Sequence, residues 1–186
     1  KVCHENGFVF FEVHAIFGRG DTLLRQGKVD ETRKLFGQGL RLLHATGGNL
    51  SMDHPYRNIA ESFLLAGLFG DARQWLDRGF DLVNNHNERG MESEFLRLQG
   101  ELALAAGDQD SAEESYRRAV DVAQQQQARS WELRAMISFA KLRQSQGKPG
   151  QAQQMLAPIY GLFTEGFNTR DLLAAKSLLD ELEVEG

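Results

Sequence analysis

The sequence predicts an all-α protein, an α-solenoid of about four helical hairpins of forty residues each, closed by a C-terminal helix. Three observations predict it. Glycines fall at 27, 67, 107 and 147. Small residues stand seven positions before each glycine (Gly20, Ala60, Gly100, Ala140) and five after it (Thr32, Ala72, Ala112, Ala152). A large apolar or aromatic residue follows four further on, as Phe36, Leu76, Tyr116 and Leu156. A register that holds at several separate positions marks stacked supersecondary units.

Each position has a mechanical meaning. The glycine ends a helix, where a left-handed residue carries no Cβ penalty. The small residues let two helices approach closely, and the large one fills the space between them. The first hairpin, 8–47, has helices over 8–26 and 29–45, and the second, 48–87, has helices over 53–66 and 70–85. In the third, 88–127, helices cover 91–106 and 109–126. Leu96, Leu98, Leu102 and Leu104 recur at mixed spacings, so both flanks of its first helix are expected to be buried. Ala112, Tyr116, Ala119, Val120 and Ala123 form one apolar stripe on its second. The glutamines of 121–131 read as the polar end of that helix and the turn into Trp131. The fourth hairpin, 128–167, has helices over 130–146 and 149–163. Trp75 and Trp131 are expected in core or inter-helix positions, and Phe163 and Phe167 are expected to seal the last helix, the alternative being an exposed apolar patch for docking or dimerisation. That capping helix, 169–183, opens at Thr169 as N-cap, and Asp180, Glu181, Glu183 and Glu185 give it a solvated face.

Composition bounds the function. Hydrophobic residues make up 41% and charged residues 25% of 186, ordinary for a globular chain read as one domain, 1–186. The net charge of −5 leaves no basic footprint for nucleic acid. No apolar run approaches the roughly 18–20 residues that span a bilayer. A lone Cys3 excludes an internal disulfide framework, and the Asn49-Leu50-Ser51 triplet comes with no export signal. The expected location is the cytoplasm. Lys1 is not a methionine, so the chain is expected to be a piece of a longer protein, with residues 1–6 the tail of a preceding hairpin.

The spacing Gly-x6-Gly-x4-Ala-x3-Tyr-x2-Ala in residues 100–119 resembles a tetratricopeptide repeat, with forty residues in place of the usual thirty-four. Residues 128–182 resemble the C-terminal segment of bacterial class III adenylate/guanylate cyclases and winged-helix regulators that carry a MalT-like signal-transduction ATPase followed by helical repeats. The resembling features are Ala128-Arg129-Ser130-Trp131-Glu132-Leu133-Arg134, Leu156-Ala157-Pro158-Ile159-Tyr160 and Phe163-Thr164-Glu165-Gly166-Phe167. Residues 5–47 read like the corresponding upstream repeats, and 88–104 match with departures at Gly90-Met91, Leu96 and Gln99. The resemblance implies a right-handed α-solenoid acting as the sensing or scaffolding arm of a signalling protein. The chain itself is expected not to be an enzyme: it has no G-x-x-x-x-G-K-[ST] phosphate loop, and no Ser/His/Asp or Cys/His constellation is supportable.

In this register the first-helix positions expected on a concave face are His14, Phe17, Asp21 and Leu24; His54, Arg57, Glu61 and Leu64; Glu94, Arg97, Glu101 and Leu104; Arg134, Ile137, Lys141 and Gln144. Helices packed about 8–10 Å apart bring corresponding residues of adjacent repeats within side-chain reach. Two readings stand. In one, His14, Asp21, His54, Arg57, Glu61, Glu94, Arg97, Glu101, Arg134 and Lys141 line a mixed-charge groove for a peptide. In the other, an intramolecular Arg–Glu ladder ties repeats together, each exposed pair contributing about 0.2–1 kcal/mol, with Arg57/Glu61 and Arg97/Glu101 also i,i+4 neighbours on their own helices. His14 and His54 share a repeat position, but no further ligand arrives at metal spacing, so no metal and no cofactor is expected. The expected partner is a protein or peptide, the neighbouring modules of its own polypeptide, or a second copy. A small-molecule effector sensor is the alternative function.

Overall fold

Four glycines decide where the helices end. Gly27, Gly67, Gly107 and Gly147 have φ of 76°, 73°, 81° and 70°, the left-handed region that favours glycine. At each, the glycine N–H and the following N–H turn back onto the last helical turn, as Gly27 donates to Leu24 O at 2.9 Å and Lys28 to Leu23 O at 3.0 Å. The same pair of bonds recurs at Leu64 and Phe63, at Leu104 and Ala103, and at Gln144 and Arg143. This is the Schellman arrangement, which satisfies carbonyls that a helix end leaves open. Gln127 adopts the same conformation, with φ 54° and Ala128 N–H on Ala123 O at 2.9 Å, although it carries a Cβ.

The structure, a computed structural model, describes residues 9–45 and 53–185. Among them every regular element is an α-helix. The expected tail at 1–6, Cys3, the boundary at 47–48, the Asn49–Ser51 triplet and the side chain of Glu185 lie outside the description. The chain divides into two compact units, Lys1–Arg89 and Gly90–Gly186. The first holds α1 (Val9–Arg25), α2 (Val29–Ala45), α3 (Asp53–Leu65) and α4 (Phe69–Asn85). In it α1 packs on α2 and α3, and α3 packs on α4. The second holds α5 (Glu92–Ala105), α6 (Gln109–Gln125), α7 (Arg129–Ser145), α8 (Pro149–Tyr160) and α9 (Arg170–Glu185). There α5 packs on α6 and α7, and α9 closes over α7 and α8. No helix among the described residues is long and apolar enough to cross a membrane.

The close approach inside each hairpin has a measurable cause. A Cβ placed on Gly20 would lie 2.3 Å from Phe36 Cε1, and one on Gly100 would lie 2.5 Å from Tyr116 Cε1. The two rings therefore lie directly on the backbone of the facing helix. In the other two hairpins the corresponding residues are Ala60 with Leu76 and Ala140 with Leu156, all at most 2% exposed. Glycine goes with a ring and alanine with leucine, so total volume is conserved in a close-packed interior. Thr32, Ala72, Ala112 and Ala152 are fully buried at 0%. The Thr32 hydroxyl, which a purely apolar position would not tolerate, donates to the Gly20 and Lys28 carbonyls.

Two expectations need correction. The helix expected over 149–163 stops at Tyr160. Pro158 offers no N–H within its last turn, and the chain turns at Gly161. Of the two aromatics before α9, Phe163 packs against the core of Leu133, Leu156, Leu172 and Leu178, whereas Phe167 stays 46% exposed beside Tyr160. Trp75 is buried against Tyr56, and Trp131 is half-buried with the Arg134 guanidinium 5.5 Å from its ring. On α9, Leu172, Ala175, Leu178 and Leu182 face the core while Asp180, Glu181 and Glu183 are exposed.

Candidate functional site

In the first unit α1 and α3 do not close on one another along their whole length. A cleft of about 520 Å³ lies between them, with Val13, Phe17 and Ile59 as walls and Phe36 and Leu43 from α2 behind. Its polar groups are His14 and Asp21 from α1 and His54 and Asn58 from α3. Both imidazoles are exposed, and the Asp21 carboxylate is half-buried. Asp21 Oδ1 accepts a hydrogen bond from Ser62 Oγ on α3 at 2.6 Å, which fixes the carboxylate at one end of the cleft. Gly18 lines the same space, and a Cβ there would meet nothing within 4 Å. A cleft of this size with apolar walls and a few convergent polar groups has the character of a ligand site. Arg57 and Glu61, one turn apart on α3, hold each other at 2.6 Å between Nη1 and Oε2.

The second unit uses its first helices differently. Glu94 on α5 is fully buried, and Arg97 one turn later is only 7% exposed. Arg97 Nε reaches Glu94 Oε1 at 2.9 Å and Nη2 reaches Oε2 at 3.1 Å. Arg134 Nη1, on α7, meets the same Oε2 at 3.0 Å, so one carboxylate joins two guanidinium groups and two helices. Arg134 Nε lies 4.0 Å from Asp171 of α9. Arg97 Nη1 is 3.8 Å from Glu101, whose Oε1 accepts from Ser138 Oγ at 2.7 Å. Beneath this cluster the Tyr116 hydroxyl is buried outside hydrogen-bonding geometry. Burial first, and the Glu101 charge second, push its pKa well above the usual tyrosine range.

The sequence-predicted positions thus separate into two groups. His14, Asp21 and His54 come together around the open cleft. Glu94, Arg97, Glu101 and Arg134 come together as an ion cluster around the buried Glu94 and Arg97. Arg57 and Glu61 pair with each other, and Lys141 is exposed on α7 outside the cluster. The expectation of exposed Arg–Glu pairs is corrected in the second unit: the principal partner of Arg97 is Glu94, three residues earlier, and neither is exposed. Ser62 and Ser138, which support the two carboxylates at 21 and 101, have no distinctive sequence signal; only their place one helix away identifies them.

A second recess of about 400 Å³ lies between α2 and α4. Arg33 spans it, with two bonds to the Asp71 carboxylate at 2.9 and 2.8 Å and a third to Asp30 at 2.9 Å. Bonding to Asp71 raises the Arg33 pKa further. The Arg78 guanidinium lies 4.2 Å from the centre of the Trp75 ring. This recess is bridged by the chain's own ion pair and is read as a strut. Among the described residues no group of three His, Cys, Asp or Glu side chains is placed to hold a metal ion. No protein-family model matches the chain, and no curated protein matches it significantly.

Proposed function

We propose that this chain is a binding scaffold, a right-handed α-solenoid of four tetratricopeptide-like hairpins with a capping helix, whose first-helix face takes a peptide segment of a partner. The observation that carries the reading is the α1–α3 cleft: apolar walls, a fixed carboxylate and two exposed imidazoles in about 520 Å³. The chain is read as having no catalysis of its own. Its place as the regulatory arm of a bacterial cytoplasmic signalling protein rests on the sequence resemblance, strongest over residues 128–182.

Gly18 supplies the test. It lies inside α1, lines the cleft and has open space where a side chain would start. Gly18→Leu fills the cleft, while replacing glycine within a helix favours folding by about 0.5–1 kcal/mol. Selection from a random peptide display library on the full chain is expected to enrich peptides that Gly18→Leu does not bind. Peptides retained equally by both proteins, or no enrichment at all, would refute the reading. A small-effector sensor is the second reading, because the cleft volume falls within the range of about 300–1,000 Å³ typical of small-molecule sites. Stabilisation of the chain, and not of Gly18→Leu, by a member of a metabolite library would favour it.

A further inference from the structure

We propose that the occupant of the α1–α3 cleft is a cationic side chain, arginine or lysine, of a peptide, anchored on the Asp21 carboxylate. The proposal rests on the reading of that cleft as a peptide site and names what it recognises. Its basis is an internal comparison between positions eighty residues apart. Gly27 and Gly107 end α1 and α5 in the same left-handed conformation, and Gly20 and Gly100 meet the rings of Phe36 and Tyr116 in the same way. In that register His14, Phe17, Asp21 and His54 correspond to Glu94, Arg97, Glu101 and Arg134.

The carboxylate is kept and its cation is not. Glu101 is held by the Ser138 hydroxyl at 2.7 Å and faces the guanidinium of Arg97 at 3.8 Å. Asp21 is held by the Ser62 hydroxyl at 2.6 Å, but the residue corresponding to Arg97 is Phe17. Among the described residues Asp21 has no ion-pair partner. In the second unit the chain fills this place with its own arginine; in the first it leaves an open cleft. Asp21 is the one carboxylate among the lining residues, and no Lys or Arg lines the cleft beside it. A guanidinium or ammonium on an aliphatic stem fits that set: the head on Asp21, the methylenes along Val13 and Ile59, and the Phe17 ring as a face for the cation.

The test is an NMR titration of the full chain with acetyl-Ala-Leu-Arg-Leu-Ala-amide and with the same peptide carrying citrulline, the uncharged isostere of arginine. Expected are shifts at Gly18, Asp21 and Asn58 with the arginine peptide, and binding weaker by about tenfold or more for the citrulline peptide. Asp21→Asn, which keeps the acceptor for Ser62, is expected to erase that difference and leave the citrulline peptide unchanged. Equal binding of the two peptides, or an unaltered difference in Asp21→Asn, would overturn the cation while leaving the cleft a peptide site. Agmatine binding as tightly as the arginine peptide would overturn a peptide source. If library-selected peptides as well as these leave Gly18 unshifted, both the cation and the peptide reading fall.

Discussion

Replacing Gly100 with alanine puts a methyl group 2.5 Å from Tyr116 Cε1 and 2.7 Å from Cδ1, where carbon atoms ordinarily stay about 3.5–4.0 Å apart. The Tyr116 ring is 0% exposed and wedged 6.3 Å from Phe139, so it has nowhere to swing. Overpacking of this kind costs about 1–3 kcal/mol, and the helix preference for alanine over glycine returns about 1. The net expectation is a loss of up to about 2 kcal/mol. Tyr116→Leu alone leaves a void under Gly100 and costs about 1–3 kcal/mol. The double variant reproduces the alanine–leucine pairing found at 60/76 and 140/156, so it is expected to lie within about 1 kcal/mol of the parent. Urea unfolding of the parent, both singles and the double, followed by circular dichroism, completes the cycle. A coupling of at least about 1 kcal/mol in favour of the double is expected. Singles that add to within about 0.5 kcal/mol, or a Gly100→Ala more stable than the parent, would refute the idea that glycine is there to receive the ring.

Gln127 holds a left-handed conformation that glycine adopts without a Cβ clash, so Gln127→Gly is expected to raise stability by about 0.5–1 kcal/mol in the same unfolding assay. Glu94→Leu leaves the buried Arg97 and the half-buried Arg134 without their shared carboxylate and is expected to cost about 3–5 kcal/mol; Glu94→Leu/Arg97→Met/Arg134→Met, which removes every charge of the triad, should recover at least half of that. The Asp108 carboxylate caps α6 by accepting from Ser111, first through its side chain and then through its backbone N–H, and this holds its pKa below the usual carboxylate range. A depressed pKa stabilises the fold above the unfolded-state value of about 3.9, and that contribution is lost as pH falls through the folded value. Asp108→Asn should therefore show a smaller fall in urea midpoint between about pH 5 and pH 3 than the parent.

Helix ends were legible because left-handed geometry at a helix terminus selects glycine, and four glycines at one interval announce themselves. Close approaches were legible from the small residues for the same steric reason. The matching of Gly20 to Phe36 and Ala60 to Leu76 is also written in the sequence, but it acquires meaning only once the two residues are known to touch. Burial of Glu94 was not legible. A glutamate on a helix face is usually solvated, and here it is covered because Arg97 and Arg134 neutralise it from two helices. Nor does any local pattern separate His14, Asp21 and His54, which border an open cleft, from Glu94, Glu101 and Arg134, which close one. That difference arises from what each side chain finds on the neighbouring helix. The end of α8 is not legible from apolar periodicity, because Leu162 and Phe163 continue the apolar pattern while their N–H groups turn back in tighter bonds to Ile159 and Tyr160.

The most direct measurement is amide hydrogen exchange of the full chain, read by mass spectrometry, with and without a peptide selected on it. Slowed exchange confined to α1 and α3, with α5 and α7 unchanged, is the expected result. Protection that falls on 92–145 instead, or no protection at saturating peptide, would contradict the assignment of binding to the cleft around His14, Asp21 and His54.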